Sequence, residues 1–175
     1  MKEQFLKNEI WTLTFGAAFQ RANVYLMGAN EDEKQNFKVK TREFIEKKLA
    51  PQYIKDIVSD KKHINNIDSL SNFTAVSKTI LNGGKLNFGV SQKLLNLYLK
   101  YLWCLDEITT PPHFPVDRRI QELLKIYPIN AWTQFEDSIA YMHVINTGRN
   151  KIENYKSIAE LELHLFERRV KTETK

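Results

Sequence analysis

The stretch NFGVSQKLLNLYLKYLW, residues 87–103, decides the fold. Leu94, Leu95, Leu97, Tyr98, Leu99, Tyr101 and Leu102 are spread around every side of a helical turn and leave little surface for water. A helix apolar on nearly all sides belongs at the centre of a domain. The spacing predicts a helix from about Ser91, as N-cap, to Leu105. Its polar residues Lys93, Asn96 and Lys100 recur at intervals of three and four, so they share one stripe. That stripe is either a wet edge from which the lysines snorkel or the wall of a cleft. A first-turn lysine in such a helix meets an unfavourable dipole and loses hydration, and both effects lower the pKa of its amine.

Working outward, residues 3–27 carry a helical pattern with Trp11, Phe15, Ala18 and Ala22 near one face, and Gly28 is a candidate cap. A lysine-rich helix over 31–49 buries Phe37, Phe44, Ile45 and Leu49, and Pro51 suits the first turn of a short helix. "SDKKHINN" reads as a polar connection. Asp68 is the expected N-cap of a helix bearing Leu70, Phe73, Val76 and Ile80, which Gly83-Gly84 should stop. After the central helix comes TTPPHFPVD, the proline-rich stretch, with a helix beginning near Val116. One further pattern carries Trp132, Phe135, Ile139 and Met142, and a last one Ile158, Leu161 and Leu165. No strand, repeat or linker is legible. The expectation is a compact all-α helical bundle forming a single domain over 1–175.

Composition narrows the function classes. Of 175 residues, 42% are apolar and 27% charged, which suits a folded domain with a real core. The net charge of +5 is compatible with a polyanionic partner. A lone cysteine, Cys104, excludes an internal disulfide and a cysteine-rich metal site, and inside the apolar helix it reads as a small hydrophobe. His63, His113, His143 and His164 lack ligand spacing, so neither a metal nor a cofactor is expected. There is no Walker loop, HExxH motif or nucleophile elbow. Without a signal-like segment or a long apolar run, the chain reads as soluble and cytoplasmic, with no membrane contact.

Two short motifs flank the lysine. Gly83-Gly84 and Gly89-Val90-Ser91 suggest a glycine-containing hairpin whose N–H groups face a phosphate at the head of the next helix. Downstream, Pro115-Val116 leads into Asp117, a natural cap for the helix that follows.

Together, Gly89-Val90-Ser91-Gln92-Lys93 and Pro115-Val116-Asp117 resemble the active-site signature of the helix-hairpin-helix DNA glycosylases. The look is closest to the 8-oxoguanine glycosylases, whose archaeal branch is matched by Gln92-Lys93 and by Arg119 two places after the aspartate. The resemblance covers residues 83–120, within a helix-hairpin-helix and Pro-rich segment at about 68–120. Ser91 stands where the hairpin's second glycine is usual, the lysine-to-aspartate interval is somewhat wide, and the chain is short for such an enzyme.

The resemblance implies double-stranded DNA as partner and excision of oxidised purines with AP-lyase activity through a Schiff base on Lys93, with Asp117 assisting. Lys85, Gly89, Ser91, Arg118 and Arg119 become the expected DNA contacts. Gln92, Asn96, Trp103, His113, Phe114 and Trp132 become the expected base-pocket residues, and Lys100 a neighbour able to lower the Lys93 pKa. The alternatives are a non-catalytic helix-hairpin-helix DNA-binding module and a helical interaction protein in which Lys93 and Asp117 merely pair.

Overall fold

The computed structural model describes residues 1–152 and 154–166. Seven α-helices form among them: α1 (Lys2–Phe19), α2 (Glu31–Phe44), α3 (Asp60–Thr74), α4 (Phe88–Cys104), α5 (Arg118–Leu123), α6 (Ser138–Arg149) and α7 (Ile158–Leu165). The only β feature of the described residues is an isolated antiparallel bridge between Tyr25 and Leu81. The fold is all-α, as the sequence pattern requires. No described helix is long and apolar enough to cross a membrane.

The apolar stretch is the axis of the bundle. Every residue from Phe88 to Leu99 is buried, and α1 and α3 pack against it. Leu94, Leu95 and Leu99 are wholly enclosed, each contributing roughly 1.5–3 kcal/mol of transfer free energy. α1 answers with Ile10, Trp11, Thr14, Phe15 and Ala18, a single helical face, and Trp11 stacks on Tyr98 with ring centroids 4.3 Å apart. The chain leaves α2 through a π turn (Ile45–Leu49) and a 3-10 turn (Ala50–Tyr53) that includes Pro51. Phe44, the last residue of α2, stacks on Phe73 of α3 at 4.1 Å.

Several boundaries differ from the sequence pattern for identifiable reasons. α1 stops at Phe19 rather than near 27, because Val24 and Leu26 give their backbone groups to Asn82 and Ile80 across the bridge. Gly28, at φ +82°, turns the chain towards the Asn30 cap of α2 rather than ending α1.

α3 begins eight residues before the expected cap: Ser59 is its N-cap and Asp68 is an exposed mid-helix residue. The reason is a polar buried face. His63, Asn66, Ser71 and Thr74 are inside with Ile67 and Leu70, so an apolar-periodicity reading mistakes the first turns for a connection. α3 also ends early. Thr74 Oγ1 accepts from Leu86 N–H at 2.9 Å, and the Ser71 hydroxyl donates to Leu86 carbonyl at 2.6 Å. These bonds hold a turn-rich connection over 78–87 against the helix end, in place of the short hairpin expected between two helices. Gly83 and Gly84 turn within it at φ +76° and +77°, a conformation that favours glycine.

Further along, α5 starts at Arg118, two residues after the expected Val116, with Asp117 as its cap. The pattern starting at Trp132 splits into a 3-10 turn (Trp132–Gln134) and α6. Cys104 ends α4 and is exposed, not a core hydrophobe.

Candidate functional site

The head of α4 is sewn to the segment 132–135. Asn87, not Ser91, is the N-cap: its Oδ1 accepts from Val90 N–H at 3.0 Å and its amide donates to Thr133 carbonyl at 2.7 Å. Gly89 N–H donates to Phe135 carbonyl at 2.9 Å. A Cβ at position 89 would stand 1.7 Å from the Trp132 carbonyl oxygen, so only glycine permits this approach. The expected phosphate-facing hairpin is therefore not formed here: Gly89 lies in the first helical turn with its N–H already bonded. Ser91 is fully buried in the next turn, its hydroxyl without a partner.

Lys93 thus sits a turn deeper than expected, 8% exposed. Its neighbour Gln92 fixes the downstream loop. The Gln92 amide donates to Val116 carbonyl at 2.8 Å, and its Oε1 accepts from Val116 N–H at 3.1 Å. This two-point clamp sets Asp117 beside the lysine. One carboxylate oxygen, Oδ1, caps α5 by accepting from Ile120 N–H at 3.1 Å. The other, Oδ2, lies 3.2 Å from Lys93 Nζ. The cap thereby orients the carboxylate towards the amine. Trp132 forms the third side: Lys93 Nζ stands over its ring, 4.2 Å from the centroid.

These groups open into a cleft of about 480 Å³. Arg118, Arg119 and Glu122 of α5 form one wall. Ala17 of α1, with Gln20 and Arg21 just after it, forms another. Burial drives the Lys93 pKa below its ordinary value, Asp117 opposes the shift, and Arg21 adds to it. Lys100 plays no part in that shift. It pairs with the buried Glu162 at 2.7 Å on the α7 side.

The structure brings Lys93, Asp117, Trp132, Arg118 and Arg119 together at one cleft. It does not bring the other expected residues to its wall. Lys85 donates to Asn72 at 2.9 Å on an exposed surface. Phe114 packs under α6 against Gly148, and Trp103 is half-buried near the far end of α4. Gln92 spends its side chain on the clamp.

Asn96 and His113 belong instead to a buried polar chain. The Asn96 amide donates to Tyr141 hydroxyl at 3.0 Å, and that hydroxyl lies 2.8 Å from His113 Nδ1. His113 Nε2 lies 3.0 Å from Asp60, which Arg149 grips with two nitrogens at 2.6 and 2.7 Å. Burial lowers the His113 pKa to about 4, against the pull of Asp60, so the ring is neutral at physiological pH. It then donates from Nε2 to the carboxylate and accepts at Nδ1 from Tyr141.

Arg21 is the site residue the sequence pattern misses. It follows α1 in what reads as continuous helix, and nothing local marks it as a neighbour of Lys93. No cluster of three metal-binding side chains occurs among the described residues.

No protein-family model, curated protein or solved structure matches this chain. The functional reading therefore rests on the site.

Proposed function

We propose that this protein is a DNA glycosylase with AP-lyase activity that works through a Schiff base on Lys93. One observation carries the reading: a buried lysine of lowered pKa stands 3.2 Å from a carboxylate whose orientation is fixed by a helix cap. A structural ion pair needs neither the depressed pKa nor an open cleft beside it. An amine nucleophile needs both, because only the neutral amine attacks and its substrate must reach it.

The chemistry follows from the residue types. A nucleotide turned out of the duplex presents its sugar C1′ to Lys93 Nζ. The amine lone pair forms the N–C1′ bond, and the C1′–base bond breaks with its electron pair on the departing base. Asp117 accepts a proton from the attacking amine and offsets the positive charge on the sugar. The nitrogen lone pair then opens the sugar ring by breaking the C1′–O4′ bond, with a proton to O4′, and gives the Schiff base. Loss of a C2′ proton expels the 3′ phosphate by β-elimination, and water then releases the enzyme. Trp132 supplies a face beside the reacting centre, and Arg118 and Arg119 hold the backbone without reading sequence. Oxidised purine is the base class that the sequence resemblance favours.

Borohydride trapping tests this. Duplexes carrying 8-oxoguanine, other damaged bases or an abasic site are incubated with the wild type and with Lys93→Gln. A covalent adduct with wild type alone supports the reading. Trapping of the abasic site without any base lesion limits it to lyase activity, and no adduct on any substrate refutes it.

A further inference from the structure

Beside the Lys93 cleft lies a second one of about 320 Å³, reached over Arg21, Arg118 and Trp132, which line both. Its remaining wall is Asn130, Ala131 and Thr133 with Ile129, the segment that leads into the head of α4. Among the described residues the arginines divide into two groups. Arg42 pairs with Glu46, Arg118 with Glu122 and Arg149 with Asp60, whereas Arg21 and Arg119 have no carboxylate of the described residues within salt-bridge reach. Both unpaired guanidinium groups line the Lys93 cleft. The usual backbone site for a phosphate is closed, since Gly89 N–H is bonded to Phe135 and Val90 N–H to Asn87.

We infer that Arg21 is the principal phosphate anchor of this protein, and that the second cleft takes the phosphodiester adjoining the nucleotide whose sugar meets Lys93. The inference rests on the DNA reading above and names the part of the strand held outside the reacting centre. A guanidinium on the ridge between two clefts can grip a phosphate bidentately while the flanking sugars fall to either side. Arg119 is confined to the first cleft and so serves the reacting nucleotide itself. Arg21 is exposed and away from the core, so its replacement leaves the fold intact.

The test is binding, not chemistry. A labelled duplex with a tetrahydrofuran abasic analogue, inert to Lys93, is titrated by fluorescence anisotropy against wild type, Arg21→Ala and Arg21→Lys. Arg21→Ala should weaken binding about tenfold and reduce the slope of log affinity against log salt by about one. Arg21→Lys should restore the salt slope but only part of the affinity. A single methylphosphonate next to the analogue should weaken wild type by a similar factor and leave Arg21→Ala unchanged.

Arg21→Ala binding as wild type does, or losing as much as wild type at every methylphosphonate position, overturns the inference. So does full displacement of the duplex by a deoxynucleoside monophosphate at the duplex's own concentration scale, which marks a mononucleotide pocket instead. If the Arg21 coupling appears but no substrate is ever trapped, the catalytic reading fails and the phosphate anchor stands. Trapping that persists with unaltered Arg21→Ala affinity gives the reverse.

Discussion

The Trp132 carbonyl oxygen occupies the space in which a side chain at Gly89 would begin, 1.7 Å from the position of its Cβ. Neither backbone can retreat freely, because Gly89 N–H is bonded to Phe135 and Asn87 is bonded to Thr133. Gly89→Ala should therefore destabilise by about 3 kcal/mol, the upper end of overpacking costs. At a few degrees per kcal/mol for a chain of this size, Tm falls by roughly 6–12 °C. The same change pushes Trp132 off the lysine, so tryptophan fluorescence should shift in the folded variant. A Tm within about 2 °C of wild type would show that the contact yields cheaply.

Asp117 performs two jobs that substitution can separate. Asparagine caps a helix about as well as aspartate, so Asp117→Asn should keep α5 and most of the stability, while Asp117→Ala loses about 1 kcal/mol. Both remove the charge facing Lys93, and trapping rates should drop by at least about 100-fold in each. Equal trapping by Asp117→Asn and wild type would reduce Asp117 to a cap.

How much of this was legible in the sequence depends on what each residue reports. The all-round apolarity of Leu94–Leu102 marks a central helix without ambiguity, and Lys93 with Asp117 could be singled out because one is a charge in an apolar helix and the other a cap after prolines. Gly89 does not announce its role: it packs closely against Trp132, a contact between segments far apart in sequence, and does not serve a hairpin conformation. His63, Asn66, Asn96 and His113 mislead any apolar-periodicity reading, since each is a polar side chain buried by pairing with another element. Arg21 reaches the site only because α1 packs along α4, which no local pattern reports.

Holding a charged amine in this site costs stability, and the cost has a sign that can be checked. The Lys93 pKa is lowered chiefly by burial, so between that value and about 10.5 the unfolded chain binds more protons than the folded one. Stability attributable to this group therefore rises with pH through that window. Lys93→Met removes the charge and keeps the stem. It should raise Tm at neutral pH by about 2–4 °C, on the order of 1 kcal/mol, at the expense of all trapping. The advantage over wild type should shrink as pH rises towards 10.5. A Lys93→Met variant less stable than wild type at pH 7 would mean that Asp117 and Trp132 more than offset the burial.

The buried chain from Asn96 to Arg149 predicts acid sensitivity. His113 has a folded pKa of about 4 against an ordinary 6.5, with burial as the first cause, and His63 is lowered in the same direction. A histidine buried neutral contributes stability that is complete above its unfolded pKa and is lost as pH falls from 6.5 towards 4. For His113 alone that loss is about 3 kcal/mol. Asp60, held at about 2 first by Arg149, adds its smaller share only below about 3.8, and much of that is screened because the carboxylate is partly exposed. Unfolding by guanidinium at pH 7, 5.5 and 4.5 should show stability falling steadily. In His113→Gln the fall should be shallower by one proton's worth, although the variant starts lower because Tyr141 and Asp60 lose a partner. Parallel pH dependences for the two proteins would mean that the His113 pKa is the same folded and unfolded, so that burial of this ring does not set the acid sensitivity. A steeper fall in His113→Gln would mean that the native ring is charged and donates from both nitrogens.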